Sequence, residues 1–367
     1  MKGNEPGDGP GGAVVVDEPG TAGTPGGGVR GNGSNRGLVR GRSGRNLKDN
    51  KLLWPLLALV ALLLLNVVVT PSFFSLRIQD GALFGSLVDI LRNGAPTLLI
   101  ALGMTLVIAT RGIDLSVGAV AAIAGAVTCT HIATGGNAWV GMGIALALCA
   151  VLGLWNGFLV SVLGIQPIIA TLVLMTAGRG VAMLITEGQI ITVDSPTYRQ
   201  VGAGFLVLPI AILISLAALG LVALATRRTA LGLLIESVGV NPEASRLAGV
   251  RSRTIIWTVY VFAALCAGIA GLMISSNVSA ADANNAGLWI EMDAILAVVI
   301  GGTSLAGGRY SLTGTLLGAL IIQTLTTTVY TAGIAPEITL VFKAVVVMAV
   351  CLVQAPVKFR VRRGVPA

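Results

Sequence analysis

The polar and charged residues able to do chemistry in this chain fall into two short stretches. In RGIDLS, residues 111–116, Arg111, Gly112, Asp114 and Ser116 interrupt sequence that is otherwise without charge from Ala95 to Thr130. An arginine after an apolar run marks a helix end, and an aspartate ahead of the next run accepts hydrogen bonds from the free N–H groups of its first turn. The four residues therefore read as a hinge between two helices. In ESVGVNPEASRLAGV, residues 236–250, Asn241 is placed to cap a short helix, Pro242 takes its first position and Gly249 closes it. Glu243 and Arg246 are three apart and share one face of that helix. Such a face orients a protein partner, or it rests on lipid headgroups with help from Arg251 and Arg253.

Catalysis is not written into the chain. It has no G-x-S-x-G nucleophile turn, no H-E-x-x-H pair and no paired-cysteine motif. Lys2, Lys48, Lys51, Lys343 and Lys358 are its lysines, and none completes a G-x-x-x-x-G-K-[ST] phosphate loop. Energy from ATP would have to come from a partner. Cys129, Cys149, Cys266 and Cys351 are scattered through apolar sequence with no metal or disulfide spacing, and His131 has no second ligand nearby. No metal site, cofactor or catalytic residue is assigned.

These residues need elements to carry them, and composition gives the class of those elements. The chain of 367 residues is 54% hydrophobic and only 11% charged, with a mean hydropathy of +0.88, whereas a soluble domain carries roughly 25% charged residues. This is an integral membrane protein. The run from Gly94 to Thr130 is far longer than the roughly 20 residues that cross a bilayer, so it must be two spans broken at RGIDLS. About ten spans are expected, at 52–70, 94–110, 114–133, 138–163, 167–186, 205–225, 254–276, 291–308, 311–332 and 337–355. The eighth is short and glycine-rich at its end, as a broken or re-entrant helix would be. Residues 1–50, rich in Gly, Pro, Asn and Arg, read as a disordered basic tail ahead of a membrane domain over 51–356, with a second basic tail at 357–367. The first apolar stretch has no small-residue cleavage pattern after it and is expected to stay.

The basic residues fix an expected topology. With both ends in the cytoplasm, the N-tail, Arg111, Arg227, Arg228, Arg246, Arg251, Arg253, Arg309 and the C-tail all lie inside, leaving Arg77, Arg92 and Arg199 outside. The net charge of +8 is then a topological signal and not a nucleic-acid footprint. Ionisable residues within spans are few: Arg179 and Lys343, with Glu291, Asp293 and Glu337 at helix ends. That disfavours ion coupling through membrane-embedded acids.

The stretches GMTLVIATRGIDLSVGAVAAIAGAV, ESVGVNPEASRLAGV, SSNVSAADANNAGLWIEMDAILAVVIGGTSLAGG and GTLLGALI resemble, in this order, the permease subunits of bacterial ABC importers for ribose, xylose, galactose and related sugars. GQIITVDSPTYRQ and PEITLVFKAVVV look most like the galactofuranose type. The resemblance implies an all-α polytopic fold with an inverted repeat of spans 2–5 and 7–10. It implies that Glu236, Asn241, Glu243, Ala244, Arg246 and Gly249 form a coupling helix seated on a cytoplasmic ATPase, which binds ATP and magnesium. An extracytoplasmic sugar-binding protein and a second permease, identical or paralogous, complete the expected assembly in the inner membrane. Pro242 and Tyr310 depart from the family's usual residues. Thr105, Asn156, Thr171, Gln323 and Thr327 are the polar span residues expected on the pathway, each having an interhelical hydrogen bond as its alternative role. An ion-coupled secondary transporter, a structural or signalling membrane protein and a branched-chain amino-acid permease are the alternatives.

Overall fold

The computed structural model describes residues 52–69, 73–79, 82–333 and 336–354. The expected tails, 1–50 and 357–367, and the side chain of Cys351 lie outside the described residues. The chain opens with an apolar helix, α1 (Leu53–Val69), then a small antiparallel ribbon of β1 (Arg77–Gln79) and β2 (Ala82–Phe84). The long helix α2 (Ser86–Ala109) follows, and after the RGIDLS turn come α3 (Val117–Ala133), α4 (Ala138–Ser161) and α5 (Pro167–Ile185). Short elements β3 (Ile191–Thr192) and α6 (Pro196–Ala203) lead to α7 (Ile210–Arg228), then to α8 (Leu231–Val240) and α9 (Pro242–Leu247). The second long helix, α10 (Ser252–Val278), precedes β4 (Ala280–Ala281), α11 (Ile290–Ile300), α12 (Leu312–Thr331) and α13 (Pro336–Gln354). The two ribbons, β1–β2 and β3–β4, are small additions to the all-α expectation.

Among the described residues six helices, α2, α4, α5, α7, α10 and α12, are long and apolar enough to cross a membrane; α1, α3 and α8 are shorter apolar helices. The expected eighth span is cut short. Helix α11 stops at Ile300, and Gly301, Gly302, Gly307 and Gly308 carry the chain through a non-helical loop to Ser311.

Two helices organise the packing. Every residue of α2 from Gly94 to Ala109 is buried, as befits a helix that is apolar all round. It lies against α10, α12, α11 and α7, while α10 lies against α2, α3 and α4. Small residues set the spacing: a Cβ on Gly271 of α10 would run into the backbone of Ala121 in α3, and one on Gly103 of α2 would come within 2.8 Å of Ala263 Cα. In a bilayer, where lipid competes equally for apolar surface, such close approach is the main source of helix attraction. Cys129, Cys149 and Cys266 are buried and unpaired within this packing.

Candidate functional site

The 236–250 stretch forms an exposed knob. Asn241 ends α8 in an extended conformation and its Oδ1 accepts the N–H groups of Glu243 (3.1 Å) and Ala244 (3.0 Å), capping α9 as its sequence requires. Gly249 adopts φ +86°, and Val250 N–H returns to Ser245 O at 2.9 Å to close the helix. Ser252 Oγ donates to Pro242 O at 2.9 Å and pins the knob's two ends together. On α9 only Ser245 is buried; Leu247 is 80% exposed. Glu243 and Arg246 pair with each other across one helical turn. Their hydrogen bond and mutual charge hold the Glu243 carboxyl below the usual carboxylate range and raise the Arg246 guanidinium. Glu236, on α8, is half-buried.

The knob is tied to the helix bundle at RGIDLS. Arg111 has φ +66°, and its guanidinium Nε donates to Ala306 O at 3.1 Å while a terminal nitrogen donates to Val240 O, the residue before the α9 cap. Gly308 N–H donates to Ala109 O at 2.9 Å. Gly239 has no room for a Cβ between Ala109 O and Gly308 N. Three segments distant in sequence, the α2–α3 turn, the end of α8 and the 301–311 loop, thus meet at one knot.

Beneath it the turn is braced by buried polar groups. Asp114 is 1% exposed, and its Oδ1 accepts Ser116 N–H (2.9 Å) and Ser116 Oγ–H (2.6 Å). The carboxylate therefore caps the 115–116 turn that leads into α3, and no N–H within the helix itself. Asn156 of α4 donates to Ser116 Oγ at 2.9 Å, and Thr171 of α5 donates to Ile113 O at 3.2 Å. Gly112 faces the Tyr260 hydroxyl of α10 with no space for a side chain.

The family described as branched-chain amino acid transport system / permease component matches residues 86–351. The chain belongs to this permease family. It is 52% identical over 308 residues to the galactofuranose transporter permease protein YtfT of Escherichia coli (strain K12), covering 82% of this permease and 90% of that protein. It is 42% identical to the fructose import permease protein FruF of Bifidobacterium longum (strain NCC 2705), over 85% of this permease and 90% of that protein. It is 37% identical to the ribose import permease protein RbsC of Escherichia coli (strain K12), over 85% and 97% respectively. No solved structure matches it.

Within the permease the five residues expected on a pathway separate into two groups. Thr105 is fully buried and shares a 2.7 Å hydrogen bond with Thr315, joining α2 to α12; Asn156 and Thr171 are buried on the RGIDLS turn. Gln323 and Thr327, on α12, are half-buried. The sequence left two further charges without a role. Lys343 of α13 meets both carboxylate oxygens of Asp293 in α11 at 2.8 and 3.0 Å, and Arg179 of α5 donates to Ala283 O and Ala286 O. The cost of a charge inside a span was the available signal for both, since it demands a partner somewhere.

Proposed function

We propose that this permease carries a monosaccharide across the cytoplasmic membrane as one of two membrane halves of an ATP-driven importer. The observation that carries the reading is the likeness, along most of the chain, to permeases named for galactofuranose, fructose and ribose. In this reading α9 is the coupling helix. Its self-capped, exposed surface, with Glu236, Asn241, Glu243, Ala244, Arg246 and Gly249 on or beside it, seats on a cytoplasmic ATPase that binds ATP and magnesium. Arg111, Gly112, Asp114 and Ser116 form the hinge that receives its motion, since Arg111 holds the residue ahead of the α9 cap. A sugar-binding protein delivers at the opposite face, and a second permease completes the pathway. In this reading the route lies between the two membrane halves, with Thr105, Asn156, Thr171, Gln323 and Thr327 as its candidate polar residues, of which Gln323 and Thr327 are the less buried.

The same reading has ten crossings and both termini in the cytoplasm, supported by the charge asymmetry. It also has an inverted repeat in which α2, α3, α4 and α5 correspond to α10, α11, α12 and α13. Exchanging the two sets turns the contacts of α2 with α11 and α12 into those of α10 with α3 and α4, and the α3–α4 contact into α11–α12.

The family's own description favours one second reading, a branched-chain amino acid. Uptake of labelled D-galactose, D-fructose, D-ribose and L-leucine by cells with and without the permease separates the two. Sugar uptake abolished by deletion and by ATP depletion is the expected result. Leucine uptake alone, or sugar uptake that follows an ion gradient after ATP depletion, refutes the proposal.

A further inference from the structure

The ion pair between α11 and α13 stands on the wall of an open, groove-like cavity of about 480 Å³, lined by Trp289, Asp293 and Leu296 on one side and Leu340, Lys343 and Met348 on the other. This volume falls within the roughly 300–1,000 Å³ range of small-molecule sites, as does its make-up of apolar walls with few polar groups. We propose that the cavity is a sugar subsite of the permease, where Asp293 and Lys343 together take two neighbouring hydroxyl groups and Trp289 covers a C–H face of the ring. The inference rests on the sugar-import reading above and adds the place where the permease itself touches the sugar.

Four observations lead there. Two charges inside a membrane domain are costly, and well-packed apolar residues would join α11 to α13 without that cost. The pair keeps its side chains 11% and 22% exposed, open to the cavity and not sealed between the helices. Lys343 directs two contacts to the Asp293 oxygens, so an ammonium with three donors keeps a third, and the carboxylate oxygens keep lone pairs. A donor and acceptors side by side, already neutralised as a pair, match adjacent hydroxyls of a neutral polyol, which can add without breaking the pair. A zwitterionic amino acid would have to separate it. Trp289, finally, stands at the start of α11 with φ +63° and is 52% exposed on the same cavity. A bulky residue rarely takes this left-handed conformation, and such outliers gather at ligand sites.

Helix α11 runs from Ile290 to the 301–311 loop, which belongs to the Arg111 knot. Asp293, in its first turn, lies two residues after Glu291, whose carboxylate packs beside Gly118 at the start of α3.

The test uses cells carrying the permease at its native locus, with membrane levels followed by immunoblot. Initial uptake rates of labelled D-galactose, D-fructose, D-ribose and L-leucine are measured for wild type and three variants: Asp293→Leu/Lys343→Met, the exchanged pair Asp293→Lys/Lys343→Asp, and Trp289→Leu. The apolar pair should insert normally and lose at least ten-fold in sugar uptake. The exchanged pair keeps an ion pair but moves its donor and acceptors, and should change the ratio of rates among the sugars at least three-fold. Trp289→Leu should lose at least three-fold. Wild-type rates and ratios in the exchanged pair would mean that the charges only brace two helices and would overturn the subsite, as would an apolar pair that transports normally. Should the apolar pair fail to insert, the exchanged pair and Trp289→Leu decide: unchanged uptake in both overturns the proposal. Wild-type uptake of leucine and of no sugar instead refutes the sugar-import reading, a different failure from sugar uptake that ignores the variants.

Discussion

Replacing Arg111 separates stability from coupling, because its backbone and its side chain act in opposite directions. The residue holds φ +66°, a left-handed conformation costing a non-glycine residue roughly 1–2 kcal/mol. Its guanidinium donates to Ala306 O and Val240 O. Charge-assisted bonds of this kind are worth about 1.5–3 kcal/mol each when protected. Arg111 is exposed, so solvent competition reduces the two together to about 1–2 kcal/mol. Arg111→Ala loses the bonds and keeps the backbone cost, giving a loss of about 1–2 kcal/mol. Arg111→Gly loses the bonds and removes the backbone cost, so it should stay within about 1 kcal/mol of wild type. Thermal stability of the purified permease in detergent should rank wild type close to Gly, with Ala below both. Both variants should still co-purify with the ATPase, since α9 and its Asn241 cap are untouched. Both should lose most sugar uptake, because the link from α9 to the α2–α3 turn is gone. Arg111→Gly with wild-type uptake and wild-type ATPase association would refute the transmission argument, whatever its stability.

Asp114→Asn should be mild, because an amide oxygen can still accept from Ser116, whereas Asp114→Leu leaves a buried N–H and hydroxyl unpaired at about 1–3 kcal/mol each and should cut the yield of monodisperse protein several-fold. Both variants folding well yet abolishing uptake would instead give the carboxylate a gating role. Glu243→Arg should leave stability unchanged, an exposed pair being worth little, and should reduce ATPase co-purification several-fold. Because Arg246 holds the Glu243 carboxyl below its ordinary range, the pair is fully formed above the ordinary carboxylate pKa and is lost only as pH falls through the lowered value. ATPase association should therefore show no Glu243-dependent change from about pH 5 to pH 8, and a Glu243-dependent change in that window argues against an intact pair. Deleting residues 2–35 should leave insertion and uptake near normal; lost uptake with normal insertion would reveal a partner of the tail.

Much of the architecture could be read from apolar runs, because a helix that must bury or dissolve its whole surface in lipid advertises itself by length and composition. RGIDLS and NPEASRLAG were legible for a related reason: each packs its stop, cap and start signals into a few residues, and local chemistry is enough to place them. The partners of these motifs were not legible. Asn156 and Thr171 read only as polar residues in spans, yet both turn out to reach the segment 113–116, across separations of 40 and 58 residues. Nor does periodicity disclose that Lys343 selects Asp293 rather than Glu291 or Arg179's neighbours. Helix α8, ten residues between two longer features, was hidden because its apolar side chains suit a loop on the membrane surface as well as a helix.

The crossed packing of α2 and α10 also sets a timetable for synthesis. Helix α2 leaves the ribosome well before α10 and α12, the two helices against which it packs most extensively, and at about 5–20 residues per second the interval to the end of α10 is roughly ten to thirty seconds. For that time its buried surface has only lipid and its early neighbours for company. The helix is equipped to wait: from Gly94 onward it carries no charge, and Thr105 can satisfy its hydroxyl on Ala101 O of its own preceding turn until Thr315 arrives. A chain that terminates before α10 keeps α2 without its partners, so truncated products should be cleared by membrane proteases and should not accumulate as a half-sized bundle.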